Sequence, residues 1–193
     1  LWCDFPLGRP LGKPGDPDFQ HRVLAAAFAL LDSPAPVFAE FDEVIHDSGD
    51  EMLACPLPPR HDPDAHPAID EANGLRAAYD RGVEMSNGRF GAGRVVAADD
   101  IPAAIESFIR ITEGTPWAEA GIPGMPMRVS HDIRSYYETA ALAMVDHAPA
   151  AWASTRWFLD QTETGKVMMA ARVAMQEQEA PQPMWFYLTP GDR

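Results

Sequence analysis

Cysteine is nearly absent from this chain: Cys3 and Cys55 are the only two in 193 residues. Two thiols do not make a disulfide framework for a chain of this size, and their spacing fits neither a zinc pattern nor a CxxC redox motif. Pairing them requires a fold that brings their Cα atoms within about 7 Å. Long apolar runs are missing as well. No stretch approaches the roughly eighteen apolar residues of a membrane span, and Asp4, Pro6 and Gly8 interrupt any signal-type apolar core near the start. The expectation is a soluble, cytoplasmic protein. Basic residues are scarce, 15 against 29 acidic ones, for a formal net charge of -14. Such a chain repels phosphate backbones, which argues against a nucleic-acid partner. The acidity serves solubility, or an acidic face for a basic partner. No internal repeat and no heptad run is present.

Hydrophobic side chains make up 46% of the sequence, enough for one ordinary buried core. Proline is abundant, with 19 residues that cut the chain into pieces. Pro6, Pro10 and Pro14, with Gly8, Gly12 and Gly15, make the first stretch a turn-rich entry. Asp16-Pro17 then has the form of a helix start, Asp16 as N-cap and Pro17 at the first helical position. Val23, Leu24, Ala27, Phe28, Leu30 and Leu31 place an apolar stripe on that helix, which runs to Asp32 before Ser33-Pro34 ends it.

Farther along, residues 37–41 read as a short extended segment, residues 46–66 as a polar loop and 68–84 as a second helix. Residues 94–96 suggest another short strand. Asp99 or Asp100 is expected to cap a helix through Thr112, with Ile101, Ile105, Phe108, Ile109 and Ile111 on its core side. Ser130 is the expected cap of a helix from His131 to Asp146. Further helices are expected from Pro149 to Asp160 and from Thr162 to Gln178, and residues 184–188 read as an extended apolar end. The fold class is mainly α (α+β): about six helices, a few short strands and long proline-rich loops.

Several groups have the residue types that chemistry needs. The loop around residues 46–66 carries His46, Asp47, Asp50, Glu51, Cys55, His61 and His66. Cys55, His61 and His66 are zinc-type ligands, but their spacing and the intervening prolines favour a solvated loop, so no metal is assigned. Asn87 to Arg94 is glycine-rich, with Arg89 and Arg94 placed to hold a carboxylate or phosphate. A plain turn explains the same residues, because no strand-loop-helix fingerprint or Walker lysine accompanies them. On the next helix, His131, Arg134, Tyr137 and Glu138 offer acid–base groups and a cation for a small-molecule substrate. An intrahelical Arg134–Glu138 pair and packed tyrosines are the ordinary reading. Trp152, Trp157 and Phe158, with Trp185, Phe186 and Tyr187, form aromatic clusters. At least one member of the terminal run is expected to face a partner, another chain or a loop.

The first stretch carries one more signal. Residues 4–14, Asp-Phe-Pro-Leu-Gly-Arg-Pro-Leu-Gly-Lys-Pro, precede Asp16-Pro17-Asp18-Phe19-Gln20 and then Arg22-Val23-Leu24 and Ala27. This order of proline, glycine and apolar residues resembles the C-terminal end of the selenoprotein B family of glycine, sarcosine, betaine and D-proline reductases. The resemblance covers about the first thirty residues. It implies a strand leading into a Pro-Leu-Gly loop and a closing amphipathic helix, near thiol- or selenol-based reduction of a small organic substrate. The clustered Cys or selenocysteine segment of those enzymes has no counterpart here. The implied organisation is a family-like tail, residues 1–34, followed by a mostly helical module, residues 35–193. The implied partner is a larger catalytic chain bearing Cys or selenocysteine, whose α/β fold the tail completes. Cys3, beside the proline–glycine loop, is the candidate thiol, although a small buried residue is the simpler role for it. No cofactor is indicated. A non-catalytic helical interaction or regulatory module and a small-anion-binding protein are the competing readings.

Overall fold

The computed structural model describes residues 1–6, 8–45, 55–146 and 153–189. His46, Asp47, Asp50, Glu51, Pro149 and Trp152, singled out above, lie outside them. Eight α-helices occur among the described residues: α1 (Pro17–Ala29), α2 (Pro67–Gly74), α3 (Arg76–Met85), α4 (Ile101–Thr112), α5 (Pro126–Leu142), α6 (Ala153–Gln161), α7 (Glu163–Glu177) and α8 (Gln182–Trp185). The protein is mainly helical, as the apolar spacing predicts. Its contacts divide it into two compact units: residues 1–51 with 150–153, and residues 52–149 with 154–193.

The first unit is built around α1. Asp16 caps it by accepting a hydrogen bond from the Phe19 amide at 2.9 Å, and Pro17 opens its first turn, where a missing N–H costs nothing. Phe5, Phe19 and Phe41 pack as three mutually inclined rings 5.7–5.9 Å apart. Lys13 and Arg22 lie over the Phe19 ring at 4.7 and 5.1 Å. Gly12, with φ of 78°, sits where a Cβ would collide with that ring, so the loop closes there on glycine. The unit extends past Pro34 because the Trp2 amide donates to Ala39 O at 2.8 Å and the Phe41 amide to Trp2 O at 2.9 Å. This pairing is a single parallel bridge between Trp2 and Glu40, all that forms of the extended segment expected at residues 37–41.

In the second unit α4 carries a broad apolar face. Ile101, Ile105, Phe108, Ile109 and Ile111 are all buried, as their helical spacing predicts. Helix α4 packs on α7, α5 and α2, α3 lies along α5, and α2 also meets α7. Glycine permits two close approaches, one at the α3–α5 crossing and one where α7 follows α6. A Cβ on Gly82 of α3 would collide with the Thr139 carbonyl of α5, and one on Gly165 of α7 with the Phe158 carbonyl of α6. An aromatic ladder runs through the same core. Tyr79 and Tyr136 stack at 4.5 Å, and Tyr137 meets Phe158 at 5.0 Å and Trp157 at 6.3 Å. Trp157 is fully buried and donates its indole N–H to Cys55 O. Each such ring contributes roughly 1.5–3 kcal/mol of burial energy.

Local expectations fail where tertiary partners intervene. The second helix is interrupted at Leu75, where Gly74 meets Pro58. Helix α5 starts four residues before Ser130, at Pro126, and the Ser130 hydroxyl donates instead to Leu188 O at 2.9 Å. Asp100 stands at the N-cap position of α4 but makes no side-chain capping bond, and Asp99 pairs with Arg76. Residues 94–96 form a loop, not a strand. The expected extended end is a helical turn: Pro183 fits the first turn of α8, and the Phe186 amide reaches Gln182 O at 3.0 Å. Trp185 and Phe186 lie against the Arg172 guanidinium, while Tyr187 is exposed.

Candidate functional site

Buried carboxylates organise the second unit. Asp132 of α5 is fully buried, and its oxygens accept the amides of Arg94 at 3.1 Å, Val95 at 2.7 Å and Val96 at 2.8 Å. Burial opposes its charge, but these amides, with that of Gly93, outweigh the penalty and hold the carboxyl below its ordinary range. The glycine-rich loop, whose sequence a plain turn explains, turns its backbone N–H groups toward an anion. That anion is the chain's own Asp132.

Glu71 of α2 performs the same service for α7. It accepts the amides of Glu163 at 2.9 Å and Thr164 at 3.2 Å, and the Tyr137 hydroxyl at 3.0 Å. These are donors that an α-helix leaves unsatisfied at its start. Here burial prevails, and the Glu71 carboxyl is pushed up despite its partners. Asp70, one residue earlier, accepts the amides of His61 and Asp62, and Arg60 lies 3.5 Å away. The His61 amide leads in lowering its pKa, against a burial penalty. Sequence reading missed all three roles. The available signal was an acidic residue on an apolar helical stripe, as at Asp132 between Val129, Ile133 and Tyr136.

The predicted residues are distributed among these elements. Tyr137 is fully buried on the core side of α5, its hydroxyl within 2.6 Å of Thr164 Oγ1, and burial raises its pKa strongly. His131, Arg134 and Glu138 share the other, half-buried side. Arg134 Nε lies 3.6 Å from Glu138 Oε1, which also accepts the Thr155 hydroxyl at 2.6 Å. The His131 Nδ1 sits 3.3 Å from Ser135 Oγ. Burial lowers the His131 pKa first, then the charges of Arg134 and Arg94, with Asp132 and Glu138 opposing. The Arg94 backbone amide meets Asp132, the residue after His131. Arg89 turns to its own loop, donating from Nε to Ser86 O at 3.1 Å.

Cys3 is a half-buried free thiol in the first unit, and Cys55 a buried one in the second. Burial pushes the Cys55 thiol up, and its Sγ lies 4.0 Å from Ala141 O. His66 Nδ1 accepts the Ala68 amide at the start of α2. Among the described residues no cluster of His, Cys, Asp and Glu has the arrangement of a metal site, and no helix is long and apolar enough to cross a membrane.

Two apolar surfaces remain. A shallow groove of about 310 Å³ lies between the ends of α3 and α5, lined by Met85, Phe90, Leu142 and Val145. On α1 and the 3-10 turn that follows it (Leu30–Asp32), the stripe behind Phe19 and Val23 is uncovered: Leu24 is 36% exposed, Phe28 64% and Leu31 81%. Leu24, Phe28 and Leu31 follow the spacing of one helix face, and large side chains at such exposure on one face differ from the scattered apolar residues of an ordinary surface. No family model, curated protein or solved structure matches the chain.

Proposed function

We propose that this chain is a small subunit, or a processed fragment, of a thiol-dependent reductase complex related to the selenoprotein B-type reductases. In this reading it supplies a docking unit rather than a complete catalytic set. The occupant of the docking face is the larger chain that carries clustered Cys or selenocysteine and acts on a small organic substrate.

The observation that carries the reading is the uncovered stripe of Leu24, Phe28 and Leu31. It lies on the helix that follows the Pro-Leu-Gly loop and on the turn that ends that helix, within the residues that carry the family resemblance. A helix whose propensity, cap and loop are all in place, yet whose apolar face stays open, fits an element that closes a fold shared with another polypeptide. Cys3 belongs to the same unit and is the one thiol with partial exposure. A non-catalytic helical partner is the second reading. It is favoured by the second unit, where Tyr137, Glu71 and Asp132 are engaged in holding backbone and side chains together.

Purification of the tagged chain from its native cells tests the proposal. A larger chain with clustered Cys or selenocysteine, retained in fixed stoichiometry and with reductase activity toward small amines or amino acids, is the expected result. Recovery of this chain alone, active or not, counts against it.

A further inference from the structure

The first unit contains a strand–helix–strand crossover reduced to its smallest form. The chain leaves Trp2, passes through the proline–glycine loop and α1, and returns parallel to itself at Glu40. The Trp2 amide and carbonyl and the Asp4 carbonyl all bond toward residues 39–45. Backbone groups alternate sides along a strand, so those of Cys3 point the opposite way. Cys3 makes no backbone hydrogen bond among the described residues, and the Phe5 amide donates to none. Helix α1 meets this ribbon through Phe19, which packs on Phe5 and Phe41. Trp2, Phe38 and Val44 lie outside that cluster and are exposed. Parallel strands belong in sheets of several members with both faces covered, and a lone pair of strands is marginal in water.

We propose that the backbone edge at residues 1–5 accepts a strand from the parallel sheet of the larger chain, so that docking joins two pieces of one sheet. The proposal rests on the docking reading of α1 and adds the strand edge to it. A short peptide would pair with the edge but leave Trp2, Phe38 and Val44 open, whereas a larger sheet with elements on its second face covers both. The edge beside Cys3 carries apolar Leu1, Trp2 and Phe5. The opposite edge carries Glu40 and Asp42, charges of the kind that discourage strand addition. Asp4, Glu40 and Asp42 make no ion pair among the described residues. In a chain of net charge -14 these carboxylates disfavour a second copy and select basic side chains on the partner.

The test purifies the complex from native cells through a C-terminal tag on wild type, Cys3→Pro and Cys3→Ser. Proline removes an N–H that the chain itself leaves unused, at an edge where its ring is tolerated, while serine removes only the thiol. The expected result is the larger chain in fixed ratio with wild type and Cys3→Ser, and its loss with Cys3→Pro. Hydrogen exchange on the wild-type complex reads the same contact whatever the proline does to the isolated fold. The Cys3 and Phe5 amides are expected to exchange more slowly in the complex than in the chain alone. A larger chain retained by Cys3→Pro, or equal exchange of these amides in the two states, overturns the strand edge and leaves the docking of α1 standing. Wild type recovered with no larger chain, or with a second copy in its place, overturns both.

Discussion

Asp132 shows how much of this molecule is decided by a single side chain. It converts a glycine-rich segment, which by composition is a mobile turn, into a loop fixed against α5 by three short hydrogen bonds. Asp132→Asn removes the charge and turns a donor toward amides that need an acceptor, so a loss of about 1–3 kcal/mol is expected at neutral pH. Because the folded pKa is lowered, this stabilisation is present above the ordinary carboxyl value near ~4 and lost as pH falls through the folded one. Urea unfolding of both proteins across acidic pH should show their difference narrowing toward the acid end. Glu71 carries the opposite sign: its raised pKa favours the protonated folded form, a contribution present in acid and lost as pH rises through the folded value.

The two thiols separate on the same grounds. Cys55 is 4% exposed with a raised pKa, and Cys3 is only half-buried. Iodoacetamide applied to the native protein should therefore label Cys3 and spare Cys55, as read by peptide mass spectrometry. Equal labelling of both would contradict the buried position of Cys55.

At the scale of elements, the most legible parts were helices with a full apolar period and a local start signal. Asp16-Pro17 marked α1, the isoleucines marked α4, and Thr162 marked α7, where it accepts the Gly165 amide at 2.9 Å. What could not be read was set by distant residues. Ser130 looks like a cap by sequence but serves Leu188, 58 residues away. The run of Trp185, Phe186 and Tyr187 has strand composition yet turns helically after Pro181. The glycine-rich segment reads as a plain turn, and what fixes it is Asp132, a residue 36–38 positions downstream.

Close backbone approaches depend on two glycines in the same way. Gly82→Ala and Gly165→Ala each force a methyl group into a facing backbone carbonyl, which cannot rotate aside as a side chain would. Each should lower stability by about 1–3 kcal/mol, whereas Lys166→Ala on the exposed side of α7 sets a near-neutral baseline. Thermal unfolding of the four proteins reads this directly, and unchanged midpoints for the glycine variants would contradict the close packing. Helix α1 presents the reverse case. Phe28→Asp alters a side chain that is 64% exposed, so it should change the stability of the isolated chain by about 0.5 kcal/mol or less.

For the whole molecule, the two units divide the functional account. The second holds a well-satisfied core: no buried side-chain nitrogen or oxygen lacks a partner among the described residues. The first holds the family-like residues, the half-buried thiol and the open helix face. Its apolar stripe was legible in the sequence, but the residues that cover such a stripe are not specified by its spacing. That is why the same pattern led to an expected core face and to an exposed one.

The central claim is that this open face of α1 docks a larger Cys- or selenocysteine-bearing chain. The most direct measurement compares the stoichiometry of that chain in complexes purified from native cells with wild-type protein and with Phe28→Asp. The account predicts a fixed ratio for wild type and its loss for the variant, with the variant's own fold unchanged by circular dichroism. The same ratio retained by Phe28→Asp, or no such chain with either protein, would contradict it.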